Sequence, residues 1–69
     1  MTAAEARNKS LWRNIKGTVR NAIIENIEDG LFSATVEERF MDMETRYNLQ
    51  QLGYSIFFQK DKNTYKIKW

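Results

Sequence analysis

The stretch YSIFFQKDKNTYKIKW, residues 54–69, decides the fold. Tyr54, Ile56 and Phe58 alternate with Ser55, Phe57 and Gln59; further on, Tyr65, Ile67 and Trp69 alternate with Thr64, Lys66 and Lys68. Alternation with a period of two sends successive side chains to opposite faces of a strand. Two such runs around Lys60-Asp61-Lys62-Asn63 read as a β-hairpin, with Asp61 and Asn63 supplying the turn chemistry. One face is aromatic and aliphatic and calls for cover. The opposite face is mostly lysine, with Phe57 as its one aromatic.

Upstream of the hairpin, Gly53 ends a helical pattern, as a C-terminal cap in the left-handed region does. That second helix carries Phe40, Met43, Tyr47 and Leu52 as its apolar stripe. Thr35 with Glu38 matches a capping box, and Glu37, Glu38, Asp42 and Glu44 suit helix N-terminal turns. Its boundary with the preceding strand falls between Thr35 and Met41. The strand spans Leu31 to Val36, with Phe32, Ala34 and Val36 on one side.

Further out, a single helix is expected from Ala3 to Ile27. Leu11, Ile15, Val19, Ala22 and Ile23 recur at helical steps, Trp12 borders them, and Asp29-Gly30 ends the element. Gly17 sits inside this pattern, at a cost of about 1 kcal/mol relative to alanine. The order α-β-α-β-β implies an α+β domain: a small three-stranded antiparallel sheet packed by a long N-terminal helix and a second helix on one side. Strand order stays open. Residues 1–69 read as a single domain, with 1–29 a basic amphipathic helix and 30–69 a strand–helix–hairpin unit.

Charge is sorted along the chain. Residues 1–20 carry a net +4, residues 21–50 a net −5 and residues 51–69 a net +3, so the total of +2 hides two basic ends around an acidic middle. That layout suits docking on a charged surface, including another copy of the chain. At 69 residues the core is small, and stability is expected to be marginal. Small domains compensate with disulfides, metals or partner chains. The chain has no cysteine and no histidine, which removes disulfides, thiolate sites, the commonest metal ligand and the commonest general base. Oligomerisation is the device left. No signal-peptide pattern and no stretch long enough to span a bilayer is visible, so a soluble, cytoplasmic domain is expected.

The first candidate site is the row Lys9, Arg13, Lys16 and Arg20. On a continuous helix these form a cationic stripe about 16 Å long, beside Trp12. Such a stripe can follow a phosphate backbone, an anionic membrane or an acidic protein groove. Asn8, Asn14 and Asn21 on the same helix argue against the membrane. The second is the outer hairpin face, Lys66 and Lys68 beside Phe57, with Lys60 and Lys62 at the turn; lysines with an exposed aromatic suit single-stranded nucleic acid, and lysines on a solvent-facing or edge strand also guard against edge-to-edge aggregation. Trp12, Phe57 and Trp69, set among cations, are of the type that anchors protein interfaces.

Catalysis is not expected. Ser10, Ser33 and Ser55 have no histidine to activate them, and no phosphate-cradling or dinucleotide motif occurs. The carboxylates lack the glycine-centred spacing of a calcium loop. No metal, cofactor or small-molecule substrate is called for.

GLFSATV, LQQLGYSIFF and TYKIKW, within residues 30–69, resemble a pattern in small proteins of tailed bacteriophages: a glycine and short strand, a helix ending L-x-x-L-G-Y, and a hairpin closing on Tyr-x-Ile-x-Trp. The resemblance implies an assembly or host-interaction role, in the virion or the host cytoplasm, and carries over no site residue. The expected function is that of a non-enzymatic protein-binding or assembly protein acting through charge and aromatic contacts. The partner is an external protein, or a second copy whose Glu37, Glu38 and Asp42 accept the basic stripe. Nucleic-acid binding by that stripe and the lysine face is the alternative.

Overall fold

A computed structural model describes all residues, Met1–Trp69. The elements run α1 (Ala3–Arg13), α2 (Gly17–Glu28), β1 (Ser33–Glu37), a 3₁₀ turn (Glu38–Phe40), α3 (Met43–Gln51), β2 (Ser55–Gln59) and β3 (Thr64–Lys68). The fold is α+β, as expected. The sheet has the order β1-β3-β2, with both pairings antiparallel. β3 therefore returns between β1 and β2, and those two strands form the edges.

The register fixes the faces. Ala34 lies opposite Ile67, which lies opposite Ile56; Val36, Tyr65 and Phe58 form the next row on the same side. This side carries the core. Ile15, Val19 and Ile23 pack with Ala34, Val36, Met41, Leu49 and Ile67, each at most 5 % exposed. α2 lies over β1 and α3 over β2, while α1 packs on α3. The other side of the sheet, bearing Thr35, Glu37, Lys68, Ser55 and Phe57, faces solvent.

Both α2 and α3 end in the same hydrogen-bonded turn. Gly30 and Gly53 have φ of 77° and 97°, a region open to glycine at little steric cost. Gly53 N–H donates to the Gln50 carbonyl and Tyr54 N–H to that of Leu49; Gly30 N–H donates to Ile27 and Leu31 N–H to Asn26. These paired bonds satisfy carbonyls that a helix end leaves free. The hairpin turn uses Asn63 at φ 52°, consistent with the chemistry expected of it.

Four expectations are corrected. The N-terminal helix is two helices, broken at Asn14–Lys16. Asn14 caps α1, and Lys16, in extended conformation (ψ 139°), precedes Gly17, the first residue of α2. A continuous 25-residue helix would be about 37 Å long, whereas five-residue strands span about 17 Å. Breaking it leaves α2 matched to the sheet and lets Ile15 turn into the core.

Second, Thr35 and Glu38 form no capping box. Thr35 lies within β1, and α3 starts at Met43, capped by Asp42, whose carboxylate accepts the Thr45 N–H at 2.8 Å. Third, the inward face of α3 is Thr45, Asn48 and Leu49, while Met43 and Tyr47 are exposed. Fourth, the strand runs Ser33–Glu37 and not Leu31–Val36, so Phe32, placed on one side with Ala34 and Val36, lies just before β1 and is exposed.

Candidate functional site: an aromatic cleft with a basic flank

The Gly53 turn places Tyr54 just before β2, at the end of the sheet where β3 runs out into Trp69. Trp12 of α1 stacks on Tyr54, ring centroids 6.5 Å apart, and Trp69 meets Tyr54 in a T-shaped arrangement at 6.1 Å. Ile27 from the last turn of α2 and Leu52 from the cap of α3 complete the walls. The result is an open apolar cleft of about 480 Å³ lined by Trp12, Ile27, Leu52, Gly53, Tyr54 and Trp69. Its size falls in the range of pockets that take a ligand or a bulky side chain. Burial pushes the Tyr54 phenol above its ordinary value, because the low-dielectric cleft disfavours phenolate.

The backbone holds this geometry. Trp69 N–H donates to the Phe32 carbonyl at 3.0 Å, tying the end of β3 to the start of β1. Arg7 donates to Gln51 at 2.7 Å and Lys16 pairs with Asp42 at 3.5 Å. These two contacts anchor α1 antiparallel along α3, with Trp12 between them.

Of the expected cationic stripe, Lys9 and Arg13 remain together, one turn apart on α1, and share a shallow hollow with Ser10 and Trp12. The helix break separates them from Lys16 and Arg20, so no continuous 16 Å row exists. Lys9, Arg13 and Arg20 have no carboxylate within 4.0 Å, whereas Lys16 is engaged by Asp42. Asp42 is held below its ordinary value of 3.8, first by the Thr45 side chain, then by the Thr45 N–H, with Lys16 adding attraction against the opposing effect of burial.

Part of the acidic middle is also paired within the chain. Glu37 pairs with Arg39 at 2.8 Å, and Glu37, Glu38 and Arg39 share a polar hollow with the turn residues Lys62, Asn63 and Thr64. Lys60 projects from the exposed turn.

On the open sheet face, Phe57 lies across from Lys66, and the Lys68 ammonium sits 5.7 Å from the Phe57 ring centroid. Phe57 is 53 % exposed, as expected of the outer face.

Trp12 and Trp69 were legible as candidates one by one. Tyr54, Leu52 and Ile27 were not, because nothing local tells that the ends of three elements converge. The visible signal was an excess of aromatics at the hairpin's open end. Compared with known family models, curated proteins and solved structures, the chain matches none of them.

Proposed function

We propose that the chain is a non-catalytic binding protein that docks through the Trp12–Tyr54–Trp69 cleft onto an acidic segment of a partner protein. The observation that carries this reading is an aromatic cleft flanked by cations with no carboxylate partner of their own, Lys9 and Arg13. Apolar lining supplies burial for one bulky side chain of the partner, and desolvated Trp and Tyr surfaces are where interface energy concentrates. The two cations favour acidic neighbours of that side chain and speed encounter. An assembly or host-interaction role, of the kind implied by the resemblance to small tailed-phage proteins, fits such a module.

Panning a random peptide library on the immobilised chain tests this reading. Enriched peptides are expected to combine one bulky apolar residue with several acidic ones. Their capture should be lost with Trp12→Ala and weakened by Lys9→Glu with Arg13→Glu. Enrichment without acidic bias, or capture indifferent to Trp12, would sink it.

Nucleic-acid binding is the second reading, favoured by the Phe57–Lys66–Lys68 grouping on the open sheet face. It ranks second because the helix break divides the cationic row that would follow a phosphate backbone. It predicts oligonucleotide binding that falls steeply with salt and is lost in Phe57→Ala.

A further inference from the structure

The two edges of the sheet are built differently. At β1 the Asn26 side-chain amide donates to the Ser33 carbonyl at 2.9 Å, and the strand ends on Glu37 before the charged 3₁₀ turn Glu38–Phe40. Caps and charges of this kind keep an edge from pairing with another chain. At β2 neither device is present. Ser55-Ile56-Phe57-Phe58-Gln59 has no charge, no proline and no glycine. Apart from the hairpin-turn bond from Lys62 N–H to the Gln59 carbonyl, its backbone bonds only to β3, so its outward groups have no partner within the chain. Phe57 and Phe58 are 53 % and 47 % exposed, Phe58 even though it points to the helix side and touches Tyr65 at 5.0 Å between centroids.

The strand is also self-complementary. Outward from Phe57, both neighbours are apolar (Ile56, Phe58) and both next neighbours are uncharged hydrogen-bonding residues (Ser55, Gln59). An antiparallel pairing about a two-fold axis at Phe57 sets Ile56 against the partner's Phe58 on the helix side. It sets Phe57 against the partner's Phe57 on the open side, and Ser55 against the partner's Gln59. Every pair matches in kind, and the half-exposed Phe58, which meets Tyr65 on its inner flank, gains a cross-strand neighbour on its open flank.

We propose that β2 is the interface of a homodimer in which two chains pair their β2 strands antiparallel about Phe57, giving one six-stranded sheet. A second copy is the occupant because the palindromic order of side chains satisfies both strands at once. The pairing also closes. It uses both β2 edges and leaves outside only the β1 edges, which are capped and charged, so the assembly stops at two. This inference does not depend on the cleft.

The test exploits the absence of cysteine. In the paired dimer the two Phe57 Cα atoms lie about 4.5–5.5 Å apart, within disulfide range, whereas the two Gln59 Cα atoms lie about 14 Å apart, beyond it. Under mild oxidation, with folding checked by circular dichroism, Phe57→Cys should give covalent dimer as its dominant product and Gln59→Cys should stay monomeric. Mixing Ser55→Cys with Gln59→Cys should give the heterodimer. This second arm uses polar positions whose replacement leaves the core untouched, should Phe57→Cys fail to fold. Gln59→Cys cross-linking to itself as readily as Phe57→Cys would overturn the pairing. So would a Ser55→Cys and Gln59→Cys mixture yielding no more heterodimer than chance collision.

Discussion

Asp42 shows how one side chain serves several needs at once. Its carboxylate caps α3 through the Thr45 N–H, and its other oxygen meets Lys16 at the α1–α2 break. Removing a capping carboxylate usually costs about 1 kcal/mol. Asp42→Ala should therefore lower the melting temperature by several degrees, since a domain of this size moves about 4–8 °C per kcal/mol. Asp42→Asn keeps an acceptor at the cap and should cost less than half as much. Thermal melts of the two variants at neutral pH check the ordering, and equal losses would mean that the ion pair, rather than the cap, dominates. Residue-scale features such as Gly30, Gly53 and Asn63 were legible in the sequence, because a left-handed backbone position restricts residue choice locally. Asp42 is legible only as a helix-start acid, seven residues beyond the Thr35 that matches a capping box.

At the scale of elements, α1 stands apart. It buries no residue, and it is held by Trp12 on Tyr54, by Arg7 on Gln51 and by the neighbouring Lys16–Asp42 pair. An eleven-residue helix is marginal without packing. Its amides should thus exchange with solvent faster than those of α2, whose Val19 and Ile23 are fully buried. Trp12→Ala should raise α1 exchange further and leave β3 protection nearly unchanged; hydrogen exchange followed by mass spectrometry reads both.

The break before α2 escaped sequence reading because Leu11, Ile15 and Val19 keep step across it. Periodicity reports which face is apolar; the length of the sheet that the helix must cover decides where it bends. The phase of α3 was misread for the converse reason. Its inward face includes polar Thr45 and Asn48, while Met43 and Tyr47 lie outside. The alternation of the hairpin, by contrast, is legible, since both of its strands announce their faces locally, although Phe58 on the helix side stays 47 % exposed.

The whole molecule buries 10 of its 69 residues, so modest electrostatic terms are visible in its stability. Asp42 has a depressed folded-state value, so its contribution is present above pH 3.8 and is lost as pH falls through that lower value. Tyr54 has a raised one, so its contribution is complete below pH 10.0 and is lost as pH rises through the raised value. Melting temperature against pH should therefore fall on both sides of a neutral plateau. Asp42→Asn should flatten the acid limb and Tyr54→Phe the alkaline limb, and a limb unchanged by its substitution would contradict the assignment. The charge blocks read from the sequence are real, but the fold joins two of them through Lys16–Asp42, and Glu37 is paired with Arg39 inside the acidic block. What remains free around the cleft is smaller and more local than the sequence suggested.

Both tryptophans of the chain line the cleft, so the central claim has a built-in reporter. The direct measurement is a proton–nitrogen correlation spectrum recorded while an enriched acidic peptide is added. Docking in the cleft predicts that both indole Nε1–H signals and the Leu52 and Gly53 amides shift together, with Phe57 and Lys66 unmoved. Shifts concentrated at Phe57, Lys66 and Lys68 with both indoles still would contradict it, and would move the binding surface to the open face of the sheet.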